Sequence, residues 1–247
     1  RTLAEYEGLE EPAGLALEDS GVLWVSELHR GRVLRLGPRS EREVVAEGLR
    51  GPRDLELEPS AAGPLPWVVE SRARRVVQLG RDGSVERTLG PEHLVRPVGL
   101  ALAGERVLVA DEGSHTVEVF ARGGEHLLRL GGHGSGPGEL IEPRDVAVGA
   151  DGRVYVADHG NSRVVVFAAD GSPAGEWGDW GPFPGLFMGP TGIEVRGQEV
   201  YVSDERNHRV QVFDLEGQAL GQFGLHAIRP REGQGKLHYP RALALSP

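Results

Sequence analysis

The sequence contains no cysteine, which excludes disulfide staples, zinc–thiolate sites and thiol nucleophiles. It has no run of about 18 apolar residues, so it encodes no helical membrane span. HExxH, the nucleophile elbow and the dinucleotide fingerprint are also missing, which leaves no cofactor to expect. Basic residues are outnumbered, with 27 Lys and Arg against 37 Asp and Glu and a net charge of −10. A surface of that sign repels phosphate backbones and anionic headgroups, so nucleic acid and membrane insertion are both disfavoured. What the chain has in quantity is Gly (37) and Pro (17) across 247 residues, without a collagen-like triplet. Many short strands joined by turns would use them.

Internal repeats decide the architecture. Leu or Phe, two residues, then Pro recurs at Leu9/Pro12, Leu49/Pro52, Leu94/Pro97, Leu140/Pro143, Phe187/Pro190 and Leu237/Pro240. The third and fifth residues after each proline are aliphatic, as in Leu55/Leu57 and Val146/Val148, the alternation of a half-buried strand. A second signature ends in an acid at Glu27, Glu70, Asp111, Asp158 and Asp204, and six residues later a valine opens a third strand. Asp-Gly pairs such as Asp82-Gly83 and Asp151-Gly152 mark turns, and a fourth strand precedes the next proline. Units of this length with four antiparallel strands are propeller blades.

The run from Pro143 through Val154-Tyr-Val-Ala-Asp158 and Asn161-Ser-Arg163 to Phe167 resembles an NHL repeat, as does Pro190 to Phe213 with Asp204, Asn207 and Arg209. The resemblance implies an all-β β-propeller of the six-bladed type, used as a binding platform more often than as an enzyme, and a bacterial, extracytoplasmic setting. The count in this sequence is five complete blades and an incomplete sixth, whose inner strand is residues 240–247. Residues 1–8 read as an outer strand of the closing blade, so the expectation is a single propeller domain over 1–247 that is a piece of a longer protein, or whose last blade is incomplete or supplied by something else.

Candidate sites are what breaks the repeat. The residue after each motif proline, at the channel mouth, is Ala13, Arg53, Val98, Arg144, Thr191 and Arg241 in turn. Arg53, Arg144 and Arg241 alternate with small residues, and three converging guanidinium groups can grip a small anion. The structural alternative is that they pair with Asp54, Asp145 or the acids ending the second strands. The resemblance also covers a zinc-dependent lyase whose histidines follow the motif proline, and here those positions hold none. His29, His115, His159 and His208 fall in the loops between second and third strands, where loop packing is expected rather than a metal centre. Asp158, Asn161 and Arg163, like Asp204, Asn207 and Arg209, recur from blade to blade, which marks them as structural fastenings rather than catalytic groups. Gly131 to Gly138 lacks the ending of a phosphate loop and reads as a connection between blades. Arg72-Ala-Arg74-Arg75 is the one feature that favours RNA.

The segment from Trp177 to Phe187 is different again. Phe187 belongs to the repeat and is expected in the core, whereas Trp180 and Phe183 offer an interface patch. The sequence therefore points to a non-catalytic scaffold whose rim loops engage a protein or peptide partner. The alternative is a lyase or hydrolase acting on an anionic substrate at the channel mouth.

Overall fold

The structure is a computed structural model that describes residues 8–37, 41–226, 236–237 and 239–245. Five four-stranded antiparallel sheets follow one another along the chain, each with its strands in sequence order. Blade 1 is β1 (Pro12–Leu17), β2 (Leu23–Glu27), β3 (Arg32–Leu36) and β4 (Arg42–Ala46). Blade 2 is β5 (Pro52–Glu58), β6 (Leu65–Glu70), β7 (Arg75–Leu79) and β8 (Val85–Leu89). Blade 3 is β9 (Pro97–Ala103), β10 (Arg106–Asp111), β11 (Thr116–Ala121) and β12 (His126–Gly131). Blade 4 is β13 (Pro143–Val148), β14 (Val154–Asp158), β15 (Arg163–Phe167) and β16 (Pro173–Trp177). Blade 5 is β17 (Pro190–Arg196), β18 (Glu199–Asp204), β19 (Arg209–Asp214) and β20 (Ala219–Phe223).

The motif proline opens each inner strand because a residue without an N–H suits the first position of a strand. Alternation then divides the core, since successive side chains on a strand point to opposite faces. Val107 and Val109 of β10 pack with blade 2, while Leu108 and Ala110 of the same strand pack with blade 4. Blades 4 and 5 meet in the same way through Tyr155, Val164, Ile193, Val200 and Phe213. No blade buries its faces alone, which is why the repeat has to continue. The Asp-Gly turns form as read: Gly83 and Gly152 sit at φ of 77° and 81°, conformations that favour glycine.

The six-bladed count is corrected. The described residues form five blades, and 241–245 carry no strand where a sixth inner strand was expected. This segment still occupies that place: the Thr191 hydroxyl donates to the Pro240 carbonyl at 3.2 Å, and Ala242 and Leu243 line the channel with Leu15 of β1. It starts like a blade, with Tyr239 at the same positive φ (52°) as Glu142 before Pro143 (51°). Among the described residues it has no second and third strands to pair with, and so no ladder to extend. The expected outer strand at 1–8 lies outside the described residues apart from Gly8.

Candidate functional site

The motif prolines pair with the acids that end the second strands (Pro12 with Glu27, Pro143 with Asp158, Pro190 with Asp204). The channel mouth, the β2–β3-type loops and the connections between blades therefore share one rim. Those acids are fully buried, and each accepts a hydrogen bond from a backbone N–H just ahead of its blade's proline: Glu10 to Glu27, Arg50 to Glu70, Val95 to Asp111, Ile141 to Asp158 and Met188 to Asp204. An arginine five residues on completes the fastening in four blades, as Arg163 does for Asp158 and Arg209 for Asp204, both at 2.9 Å. Thr116 stands at the corresponding place in blade 3 and turns to Glu118 instead. These groups hold connections in place.

The histidines do not converge. His115 and His208 each use Nδ1 to accept an N–H from the following connection, from Glu142 (3.0 Å) and Tyr239 (3.1 Å). His159 Nδ1 lies 3.1 Å from the Pro190 carbonyl, and His29 is exposed beside Glu11. No group of three His, Cys, Asp or Glu suited to a metal occurs among the described residues. Of the basic loop, Arg75 is taken by Glu70 at 2.5 Å, which leaves Arg72 and Arg74 as its exposed cations.

Arg53, Arg144 and Arg241 do come together, in a cavity of about 410 Å³ at the channel mouth. Their partners differ from the alternative given above. Arg144 pairs with the buried Glu112 at 2.6 Å and Arg241 with Glu205 at 2.6 Å, while Arg53 makes no side-chain hydrogen bond or ion pair among the described residues. Burial lowers the Arg53 pKa, and repulsion from Arg144, Arg241 and Arg96 adds to this against the attraction of Glu112.

Asp54 and Asp145 serve the fold. Asp54 accepts the Leu100 N–H at 2.8 Å and Asp145 the Ile193 N–H at 2.9 Å, so each ties its blade to the next across the channel wall. The glycines that alternate with them are required by close approach: a Cβ on Gly14 would sit 2.6 Å from Asp54 Cα, and one on Gly99 the same distance from Asp145 Cα. Glu56 and Glu194 lie deeper in the channel with them. Burial pushes all four carboxyls up, Asp54 to about 7 and Glu194 to about 8, and their mutual repulsion adds to the shift on Glu56, Asp145 and Glu194.

The other candidate is the connection from β16 to β17. Trp180 and Phe183 are 66% and 70% exposed while Phe187 is fully buried, as the sequence suggested. The backbone beneath them is pinned. Asn207 donates to the Gly181 carbonyl, Arg209 to those of Phe183 and Leu186, and Gln211 to Leu186 as well. Gly181 N–H bonds Phe187 O and Phe187 N–H bonds Asp179 O, which closes the loop on itself.

Five radially arranged four-stranded sheets around a channel define a β-propeller. The NHL repeat matches residues 140–167 and 187–213, the fourth and fifth blades, so the chain is a β-propeller with NHL repeats at those two places. No curated protein matches the sequence significantly. Among solved structures, a chain of a nidogen/laminin complex aligns with a TM-score of 0.73 at 17% identity, over 96% of this chain and 86% of that one. Virginiamycin B lyase from Staphylococcus aureus gives 0.69 at 14%, over 96% and 74%. A gluconolactonase from Xanthomonas campestris gives 0.68 at 19%, over 87% and 76%. At these identities the likeness concerns the fold alone.

Proposed function

We propose that this propeller is a non-catalytic binding module that engages a protein or peptide partner through its rim, with Trp180 and Phe183 as the anchors. One observation carries the reading: two large aromatic side chains stand in solvent on a connection that the fold builds equally well without them. The equivalent connection before blade 4 has His133 and Gly136 at those places, under the same parallel bridge (His133 with Leu140, Trp180 with Phe187) and the same arginine clamp. Exposed aromatics on a rigid backbone are the usual anchors of an interface, because little entropy remains to be lost when they bind. The flanking Pro182 and Pro184 are exposed too and stiffen the presentation. A structural neighbour taken from a nidogen/laminin complex supports protein binding by this architecture, although the lyase and gluconolactonase neighbours show that the fold also carries enzymes.

The test is a differential capture from the native host. Wild type, Trp180→Ser/Phe183→Ser and an outer-strand control, Leu220→Ser, are compared by quantitative mass spectrometry, and the complex is rebuilt from purified components. The expected result is one stoichiometric partner, retained by the control and bound at least about tenfold more weakly by the double variant. Equal affinity for wild type and the double variant would remove the reading.

A further inference from the structure

We propose that the mouth of the central channel binds a single carboxylate, received by Arg53. The mouth is a cavity of about 410 Å³, within the size range of small-molecule sites. Arg53 enters it from β5, Arg144 from β13 and Arg241 from the segment after β20, while Ala13, Leu28 and Val98 give it apolar walls.

The pairing of the arginines selects the ligand. Glu112 pairs with Arg144 and also with Arg96 at 2.7 Å, and Glu205 pairs with Arg241, so of the three guanidinium groups lining the mouth only Arg53 has no ion pair among the described residues. Arg53 is half-buried and has no acceptor of its own among the described residues. A cation partly withdrawn from water without a partner is costly, and the missing element is an anion. The fold does not supply it from below, because Asp54 and Asp145 spend their oxygens on the N–H groups of Leu100 and Ile193, and burial favours their neutral forms.

Arg53, the guanidinium without an ion pair, calls for one negative charge. A planar carboxylate matches the fork of Arg53 with two parallel hydrogen bonds. A phosphate dianion would bring a second charge up against Glu11 and Glu205, which also line the mouth. The ligand is therefore a monocarboxylate on an apolar body, either a small organic acid or the C-terminus of a peptide.

This inference stands apart from the aromatic platform, since its test needs no partner protein. Purified chain is titrated calorimetrically with benzoate, with N-acetyl-Ala-Ala-Phe bearing a free C-terminus, with the amide of that peptide, and with inorganic phosphate. At least one carboxylate should saturate a single site, with the amide and phosphate weaker by about tenfold or more. Whichever of benzoate and the peptide acid binds tighter assigns the source. Arg53→Gln should weaken that carboxylate by about tenfold or more, Arg53→Lys by about threefold or more through loss of the fork, and Arg87→Gln on the outer strand β8 should leave it within about twofold. No saturation below about 10 mM, a preference for phosphate, or affinity unchanged in either Arg53 variant would overturn the proposal. The lysine variant decides the matter if the glutamine variant does not fold.

Discussion

The connections that lead into blades 4 and 5 are the same structure carrying different side chains. In residues 132–140, Asn161 holds the Gly134 carbonyl and Arg163 those of Gly136 and Glu139; in 179–187, Asn207 holds Gly181 and Arg209 those of Phe183 and Leu186. Both loops close with an N–H from the motif hydrophobe, Leu140 to Gly132 O and Phe187 to Asp179 O. One displays Gly136 and His133, the other Phe183 and Trp180. What is common to the two is what the fold requires, and the aromatic pair is not part of it.

The largest effect should come from the shared part. Asp204→Ala would strand the buried Arg209 and three further hydrogen bonds at once, so it should cost roughly 3–5 kcal/mol and lower the melting temperature by about 10 °C. Asp158→Ala should cost the same within about 1 kcal/mol in a denaturant melt. A large inequality would break the equivalence of the two connections.

The channel differs, because there Asp54 and Asp145 tie blades together with no arginine bonded to them among the described residues. Asp54, Glu56, Asp145 and Glu194 face one another there, with Arg53, Arg144 and Arg241 at the mouth. Asp54 and Glu194 titrate at about 7 and about 8 when folded, above the ordinary carboxylate range of an unfolded chain. Their contribution is therefore fully present below about pH 4 and is lost as the pH rises toward 7–8. Asp54→Asn/Glu194→Gln removes that loss, and the side-chain amide introduced in place of Asp54 can still accept the Leu100 N–H through its carbonyl oxygen. Melting should favour this variant over wild type increasingly from pH 5 to pH 8.5, by roughly 5 °C at the upper end.

Smaller effects belong to the part that differs. Grafting the platform with His133→Trp/Gly136→Phe should cost less than about 1 kcal/mol, since Gly136 has an ordinary φ and a Cβ there meets only the movable Glu139 carboxylate. Trp180→Ser/Phe183→Ser should change stability least, by about 0.5 kcal/mol or less per residue in a thermal melt.

Much of this was readable in the sequence. The prolines, the acids ending the second strands and the valines six residues on fixed five blades, and strict repetition identified Asp158, Arg163 and their counterparts as fastenings. Trp180 and Phe183 stood out because nothing in the repeat calls for them. The role of Asp54 and Asp145 was not readable, because each bonds a residue 46 or 48 positions away on a strand whose closeness only packing reveals. The alternation of glycine with aspartate was its trace. His115 and His208 shared a loop register for a similar reason, as each reaches forward to the next connection. The sixth strand was over-read: a proline and two leucines give the pattern of an inner strand, but a strand needs a neighbour to pair with, and the described residues provide none.

Amide hydrogen exchange on the intact chain tests most directly whether 179–187 is a rigid platform. Gly181, Gly185, Leu186 and Phe187, whose N–H groups bond Phe187 O, Gln211 Oε1, Phe183 O and Asp179 O, should exchange at least about 100-fold slower than an unstructured peptide, as should Gly134, Glu139 and Leu140 in the preceding connection. Fast exchange through 179–187 beside protected amides in 132–140 would mean that the aromatic residues ride on a loose loop, and the equivalence on which the account rests would fail.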